Sequence, residues 1–254
     1  MASNYHLRPG TFSDITAASN LYLQSFDKEP LLDYMFPSRR DSRAPFDTWI
    51  LRRFRIRYWT SGYYLTMAFV CDGDEDEDGI DGDDAEKKGE NEKTRQKQGQ
   101  VRAVGCTWWH RPLESLSFRE RWLSPYAWLR PIMSTILTLH SQLFPISSID
   151  PERVGIYDRV FATIEPGILN SSRRRAAWYL ATLCVDPTIQ GRGIGALLVQ
   201  DGLRRADREG AATWLVGLRG LERYYNRFGF LEVGRANVGE LKDWEGGSIM
   251  FRGE

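Results

Sequence analysis

Residues 190–195, QGRGIG, stand directly before a helical pattern, ALLVQDGLRRADRE, and after the apolar run LATLCV and a proline break. Backbone N–H groups fanned out at such a loop and helix start attract negative charge, phosphate above all. Gly191, Gly193 and Gly195 lack a Cβ, so the loop can press its amides, that of Ile194 included, against phosphate oxygens. Arg192 adds positive charge and Gln190 a side-chain donor. The chemistry indicated is a grip on a phosphate-bearing ligand. For proton transfer, His110, just behind Trp108 and Trp109 at the end of a strand pattern, titrates in the right range. Glu222 and Asp158 are weaker candidates for a base, and His6 and His140 read as structural.

Two other phosphate loops share parts of this pattern. GRGIGA at 191–196 satisfies the dinucleotide spacing G-x-G-x-x-G/A. In such units, however, the first glycine follows its strand at once and an acid follows the next strand. Here DPTIQ intervenes, Arg219 follows the strand near 213–218, and residues 197–254 are too few for the rest of a doubly wound sheet. No Gly-Lys-Ser/Thr follows, which excludes a Walker loop.

The segment resembles the GNAT superfamily of N-acetyltransferases, whose cofactor motif runs Gln or Arg, two residues, Gly, one residue, then Gly or Ala. Gln190, Gly193 and Gly195 match it. Leu183, Cys184 and Val185, followed by Asp186 and Pro187, resemble the family's fourth strand, where a bulge exposes backbone to a pantetheine arm. In YYNRFGFLEVG, Tyr225, Gly229 and Phe230 match the family's Tyr, three residues, Gly, Phe signature. The resemblance is sharp over residues 176–235, looser over the first 110, and absent between Arg111 and Asn170.

What the resemblance implies is acetyl-CoA as cosubstrate, held by Leu183, Cys184, Val185, Gln190, Gly191, Arg192, Gly193, Ile194 and Gly195. The acceptor would be a small-molecule amine attacking directly in a ternary complex. Tyr225 would protonate the departing thiolate, with Tyr224 beside it as a decoy, and His110 is the candidate base. Many relatives carry an acid in the fifth strand, where Val216 and Gly217 stand here. That departure leaves open a non-catalytic acyl-CoA-binding module, and a protein or peptide acceptor remains a further alternative.

The elements that must position these groups predict an α/β fold: a GNAT-like mixed, largely antiparallel twisted sheet flanked by helices, with a helical insertion between the third and fourth strands. YHLRPG reads as a first strand and TFSDITAASNLYLQSF as a helix capped by Thr11 or Ser13. Residues 45–60 place Phe46, Trp49, Ile50, Phe54 and Tyr58 at helical spacing, with Arg52, Arg53, Arg55 and Arg57 read as a solvated face. YYLTMAFVC, QVRAVGCTWWHR, TWLVGL, FLEVGR and GGSIMFR read as strands, and LERYYNRF as a short helix. In the insertion, residues 112–170, Pro125, Pro131 and Pro145 should break the chain into short helices. Its large apolar residues, among them Trp128, Leu129, Ile132, Ile136, Leu143 and Phe144, should mostly extend the core, although a cap over the acceptor site is the alternative.

Composition sets the frame. The 254 residues suit a single domain, 1–254, with 42% hydrophobic residues and nine Trp supplying a sizeable core. Cys71, Cys106 and Cys184 lie far apart, so a reduced, cytoplasmic setting is expected, with no metal set. No secretory h-region is read in MASNYHLRPG, and no run long enough to span a membrane. Residues 72–99 hold twelve acidic and five basic residues, a net of −7; the whole chain balances 34 against 34, so the rest carries +7. The acidic stretch should be a disordered loop. Its Asp74, Asp76, Asp78 and Gly79 begin like an EF-hand loop, but Ala85 stands where the closing acid belongs. A basic body suits a phosphorylated cofactor, and no nucleic-acid module is recognised. A monomer or homodimer is expected.

Overall fold

The computed structural model describes residues 5–72, 100–116 and 125–254. The acidic stretch beyond Asp72, with its calcium-loop reading, and residues 117–124 of the insertion lie outside them. One seven-stranded sheet runs in the order β1-β2-β3-β4-β5-β7-β6. Its strands are β1 (Tyr5–Pro9), β2 (Tyr63–Asp72), β3 (Gln100–His110), β4 (Trp178–Val185), β5 (Thr213–Gly217), β6 (Leu231–Arg235) and β7 (Ser248–Arg252). Only β4 and β5 are parallel, so the sheet is mixed and largely antiparallel. The helices are α1 (Ile15–Ser25), α2 (Pro30–Met35), α3 (Arg43–Trp59), α4 (Pro125–Leu143), α5 (Pro151–Val154), α6 (Ile156–Ile168), α7 (Ser172–Arg175), α8 (Ile194–Arg208) and α9 (Glu222–Asn226).

The helices α1, α3, α6 and α8 sit where their apolar stripes dictate. On α3 the stripe is Phe46, Ile50 and Phe54, which joins Ile15, Ala18 and Leu21 of α1 over Leu65, Met67 and Trp108. On the opposite face α8 buries Val199, Leu203 and Ala206 against Trp109, Leu180 and Leu215. A third cluster packs Ile156 and Val160 of α6 against Trp214, Ile249 and Phe251. Burying each large apolar side chain contributes about 1.5–3 kcal/mol, so both faces of the sheet are firmly covered.

Two irregularities in the sheet position the site. Trp108 pairs with Thr182 but Trp109 with Leu180, so Ala181 has no opposite residue and β4 bulges there. The parallel pairing of β4 with β5 extends only from Trp178 and Thr213 to Leu180 and Leu215. Beyond that point the two strands part.

Between β3 and β4 the chain departs from two expectations. Pro131 lies inside α4 rather than ending it. A proline removes one backbone hydrogen bond, and the apolar, helix-forming residues around it continue the helix on both sides. Nor do the large apolar residues of α4 extend the core. Trp128 is 62% exposed and Leu143 73%, and Leu129, Ile132, Ile136 and Phe144 are exposed as well. The helix lies along α3 and offers it only one side, where Met133 and Leu137 are half-buried. Among the described residues no helix is long and apolar enough to cross a membrane.

The closest helix-to-sheet approach is at Gly202 of α8, where a Cβ would lie 2.0 Å from the indole nitrogen of the buried Trp109. Gly202→Ala is therefore expected to lower stability by about 2–3 kcal/mol through overpacking, although alanine favours a helix by about 1 kcal/mol. Gly167→Ala in α6, where a Cβ meets nothing within 4 Å, should instead raise it by about 0.5–1 kcal/mol. Urea midpoints of the two variants read both signs.

Candidate functional site

The anion-gripping loop is built by Asp186 and two left-handed glycines. The Asp186 carboxylate accepts the Thr188 N–H at 2.9 Å, the Thr188 hydroxyl at 2.7 Å and the Arg102 guanidinium at 2.5 Å. Burial alone would push this carboxyl up, but Thr188 and Arg102 hold it below its usual range, so it stays ionised and pins the turn. Gly191 and Gly193 then take φ of +83° and +86°, conformations glycine adopts without strain. Gly193 caps α8, and its carbonyl accepts the Leu197 N–H. The N–H groups of Ile194, Gly195 and Ala196 in the first turn thus have no intrahelical partner and face outward at the positive end of the helix dipole. A Cβ at Gly191 or Gly193 would point into open space, and Arg192 is exposed beside them.

Gln190 is a side-chain donor at the loop entry, and its acceptor lies within the chain. Its amide nitrogen donates to the Val185 carbonyl at 3.1 Å, and that carbonyl also accepts the Ser25 hydroxyl at 2.9 Å. Gln190 braces the loop onto the end of β4. The Asp186 N–H bonds Val104 of β3, and Cys184 pairs with Cys106. Strand alternation therefore turns the backbone of Leu183 and Val185 the other way, into the gap that β5 has left. The Cys184 side chain is 1% exposed, burial raises its thiol well above the usual value, and its backbone faces β3, which leaves Leu183 and Val185 as the residues with backbone toward the gap.

Two adjacent tyrosines of α9 close this face. Tyr225 is 6% exposed and packs among Trp109, Leu180, Leu215 and Phe230. Burial, with Tyr224, Cys184 and Tyr179 nearby, raises its phenol, which stays protonated at neutral pH. Its hydroxyl makes no hydrogen bond among the described residues. Tyr224 carries a buried hydroxyl without a partner, and a Cβ on Gly195 would come within 2.8 Å of it. Burial pushes that phenol up to about 12 against the lowering influence of Arg227. The Tyr224 hydroxyl thus stands over the first turn of α8.

On the other face of the sheet, α2, α3 and the insertion enclose a cavity of about 680 Å³. Its floor is the parting itself, with Tyr179, Ala181 and Thr182 on one side and Val216 and Leu218 on the other. Residues 138–158 of α4, α5 and α6 supply one wall. Arg53 and Arg55 are exposed as a solvated face requires, but Arg52, Arg53 and Arg57 also line the cavity, where Asp158 is the only acid among the described lining residues. The signal for Arg57 was present in the sequence, because it continues the buried stripe of Phe46, Ile50 and Phe54 at i+3. His110 does not line the cavity. It lies behind Tyr63, ring centroids 4.6 Å apart, where burial and then Arg57 pull its imidazole below its usual value and leave it neutral at pH 7. Glu222, on α9, is also outside the cavity lining.

Residues 113–230 match the model of the Acetyltransferase (GNAT) family. This stretch is similar to the GNAT acetyltransferases. A Corynebacterium glutamicum protein described as histone acetyltransferase HPA2 and related acetyltransferase has the same fold: TM-score 0.53 at 16% identity, covering 98% of this chain and 96% of that one. Two further structures are similar over their lengths. The GCN5-related N-acetyltransferase of Rhodopseudomonas palustris is 13% identical, covering 99% of this chain and 97% of that one, TM-score 0.46. The PaiA N-acetyltransferase of Thermoplasma acidophilum, in complex with coenzyme A, is 10% identical, covering 98% of each, TM-score 0.44. Among the described residues, no group of three or more His, Cys, Asp or Glu is placed to hold a metal.

An unpartnered buried hydroxyl costs a fold stability, so removing the one beside Gly195 should not weaken the fold. Tyr224→Phe is expected to leave the ligand-free protein equally stable or up to about 1 kcal/mol more stable in denaturant melts. A clear loss of stability would mean that the hydroxyl serves the fold.

Proposed function

We propose that the chain is an acetyl-CoA-dependent N-acetyltransferase that acylates a primary amine of a small molecule with an apolar or aromatic part, by direct attack in a ternary complex. One observation carries this reading: the phosphate-gripping loop and the cavity approach the same parting of β4 and β5 from opposite faces. The fit of the residues to coenzyme A is good. The amides at 191–196, with Arg192, suit a diphosphate, the Tyr224 hydroxyl lacks a partner there, and the backbone of Leu183 and Val185 suits a pantetheine amide. The cavity, about 680 Å³ and partly open to solvent, has the size of a small-molecule acceptor site.

When bound, acetyl-CoA supplies an activated thioester; the balanced transfer forms a C–N bond, breaks the C–S bond and moves one proton from nitrogen to sulfur. The Tyr225 phenol, protonated and without a hydrogen-bond partner, is the group suited to donate toward the sulfur. Near pH 7 a lysine-type amine is neutral in only about one molecule in 2,500, so the acceptor's own acidity matters to the rate. The cavity wall offers Asp158 as its one carboxylate, and the neutral His110 acts only from behind Tyr63.

Tyr225→Phe is expected to lower kcat by about a hundredfold while leaving the Kd for coenzyme A unchanged, measured by thiol release and calorimetry. Gly193→Val should abolish coenzyme A binding while the fold persists, since the side chain enters only open space and the left-handed backbone costs about 1–2 kcal/mol. Unchanged turnover in the first variant removes Tyr225 from the mechanism. Coenzyme A uptake without thiol release for any amine would identify a binding module in place of an enzyme.

A further inference from the structure

We infer that the acceptor is an α-amino carboxylate with an apolar or aromatic side chain, its carboxylate taken by Arg57 on the cavity floor. This rests on the acetyl-transfer reading and names the substrate class for that same site. Arg57 reaches across from α3, and its Nη1 donates to the Thr182 hydroxyl at 2.9 Å, next to the bulge at Ala181. The guanidinium lies 5.3 Å from the Tyr63 ring centre, 5.5 Å from Phe54 and 5.8 Å from Trp108. The Thr182 hydroxyl in turn donates a hydrogen bond to the Ala181 carbonyl at 2.7 Å, so the pair fixes the direction of the arginine fork.

Charge balance singles this group out. Elsewhere the fold pairs its buried arginines with carboxylates, Arg39 with Asp33 and Arg111 with Glu209. The three cavity arginines have no carboxylate within 4.0 Å among the described residues. Arg52 donates to the Phe144 carbonyl and Arg53 lies over Trp49. With Asp158 as the single acid, the lining carries a net +2. A guanidinium has five donors in a planar fork, and a half-buried one without a counter-ion is a site for a ligand anion. The same charge disfavours polyamines and lysine-rich peptides, which bring only more positive charge.

Geometry and acidity agree with that choice. In an α-amino acid the amine sits one carbon from the carboxylate, so anchoring the latter beside Thr182 places the nitrogen at the parting of β4 and β5. Positive charge next to an amine favours its neutral form, which lessens the need for a base that the cavity wall scarcely provides. The aromatic walls, Tyr157, Tyr179 and Trp244 among them, then receive the apolar side chain.

The test is thiol release by the full chain with acetyl-CoA and a panel of L-phenylalanine, L-tryptophan and L-leucine, their amides, phenethylamine, tryptamine, spermidine and a lysine-rich peptide. The free amino acids should exceed their amides and decarboxylated amines in kcat/KM by about 10- to 100-fold, the scale of a charge-assisted pair. Arg57→Gln should erase that preference through KM with coenzyme A binding intact, and Arg57→Lys should restore part of it. Amines without a carboxylate that serve equally well, or a preference that survives Arg57→Gln, would overturn the inference. Should the variants fail to fold, the wild-type panel decides alone. Coenzyme A binding with turnover only on spermidine or the peptide defeats this inference while leaving acetyl transfer standing; no coenzyme A binding at all defeats both.

Discussion

The structure depends on a hydrogen-bond ladder left unfinished. β4 and β5 pair in parallel only as far as Leu180 and Leu215, and from there their facing edges carry backbone groups without a strand to meet them. Such groups are costly inside a protein unless something satisfies them. The fold arranges everything else around that opening: α8 and its glycine loop on one side, the arginine-lined cavity on the other, and Tyr225 at the seam. The bulge at Ala181 bends β4 just where the ladder ends, while its other edge remains paired with β3.

Rigid supports hold the edges of the gap. The ionised Asp186 fixes the entry to the loop through Thr188 and Arg102, and Ser25 of α1 reaches across to the Val185 carbonyl. On the far side, Gly202 lets α8 rest directly on Trp109, which keeps the first turn of the helix at a set height above the sheet. A site built on strand edges and a helix start is more sharply defined than one built on loops alone.

Neighbouring residues illustrate how environment assigns roles. Tyr224 and Tyr225 adjoin in sequence, yet one phenol stands over Gly195 and the other enters the seam between strands. Arg55 and Arg57 alternate along one helix, and only Arg57 continues the buried stripe into the cavity. Charge that looks interchangeable in composition is divided by helix periodicity into a solvated part and a part that lines the cavity.

The sequence by itself determined the strands, the helices α1, α3 and α8 and the glycine loop, because these follow from short-range rules: apolar periodicity, and glycines where φ must be positive, as at Gly191 and Gly193. It also pointed to Tyr225 and the end of β4 through the motif they share with relatives. Only the tertiary structure decided which face Arg57 serves, that His110 stands behind Tyr63, that Gln190 braces Val185, and that α4 turns Trp128 and Leu143 to solvent. The cavity joins residues 22 to 244 from at least seven elements. Contacts between segments so far apart leave no local pattern, since what fixes them is the packing of whole faces against one another.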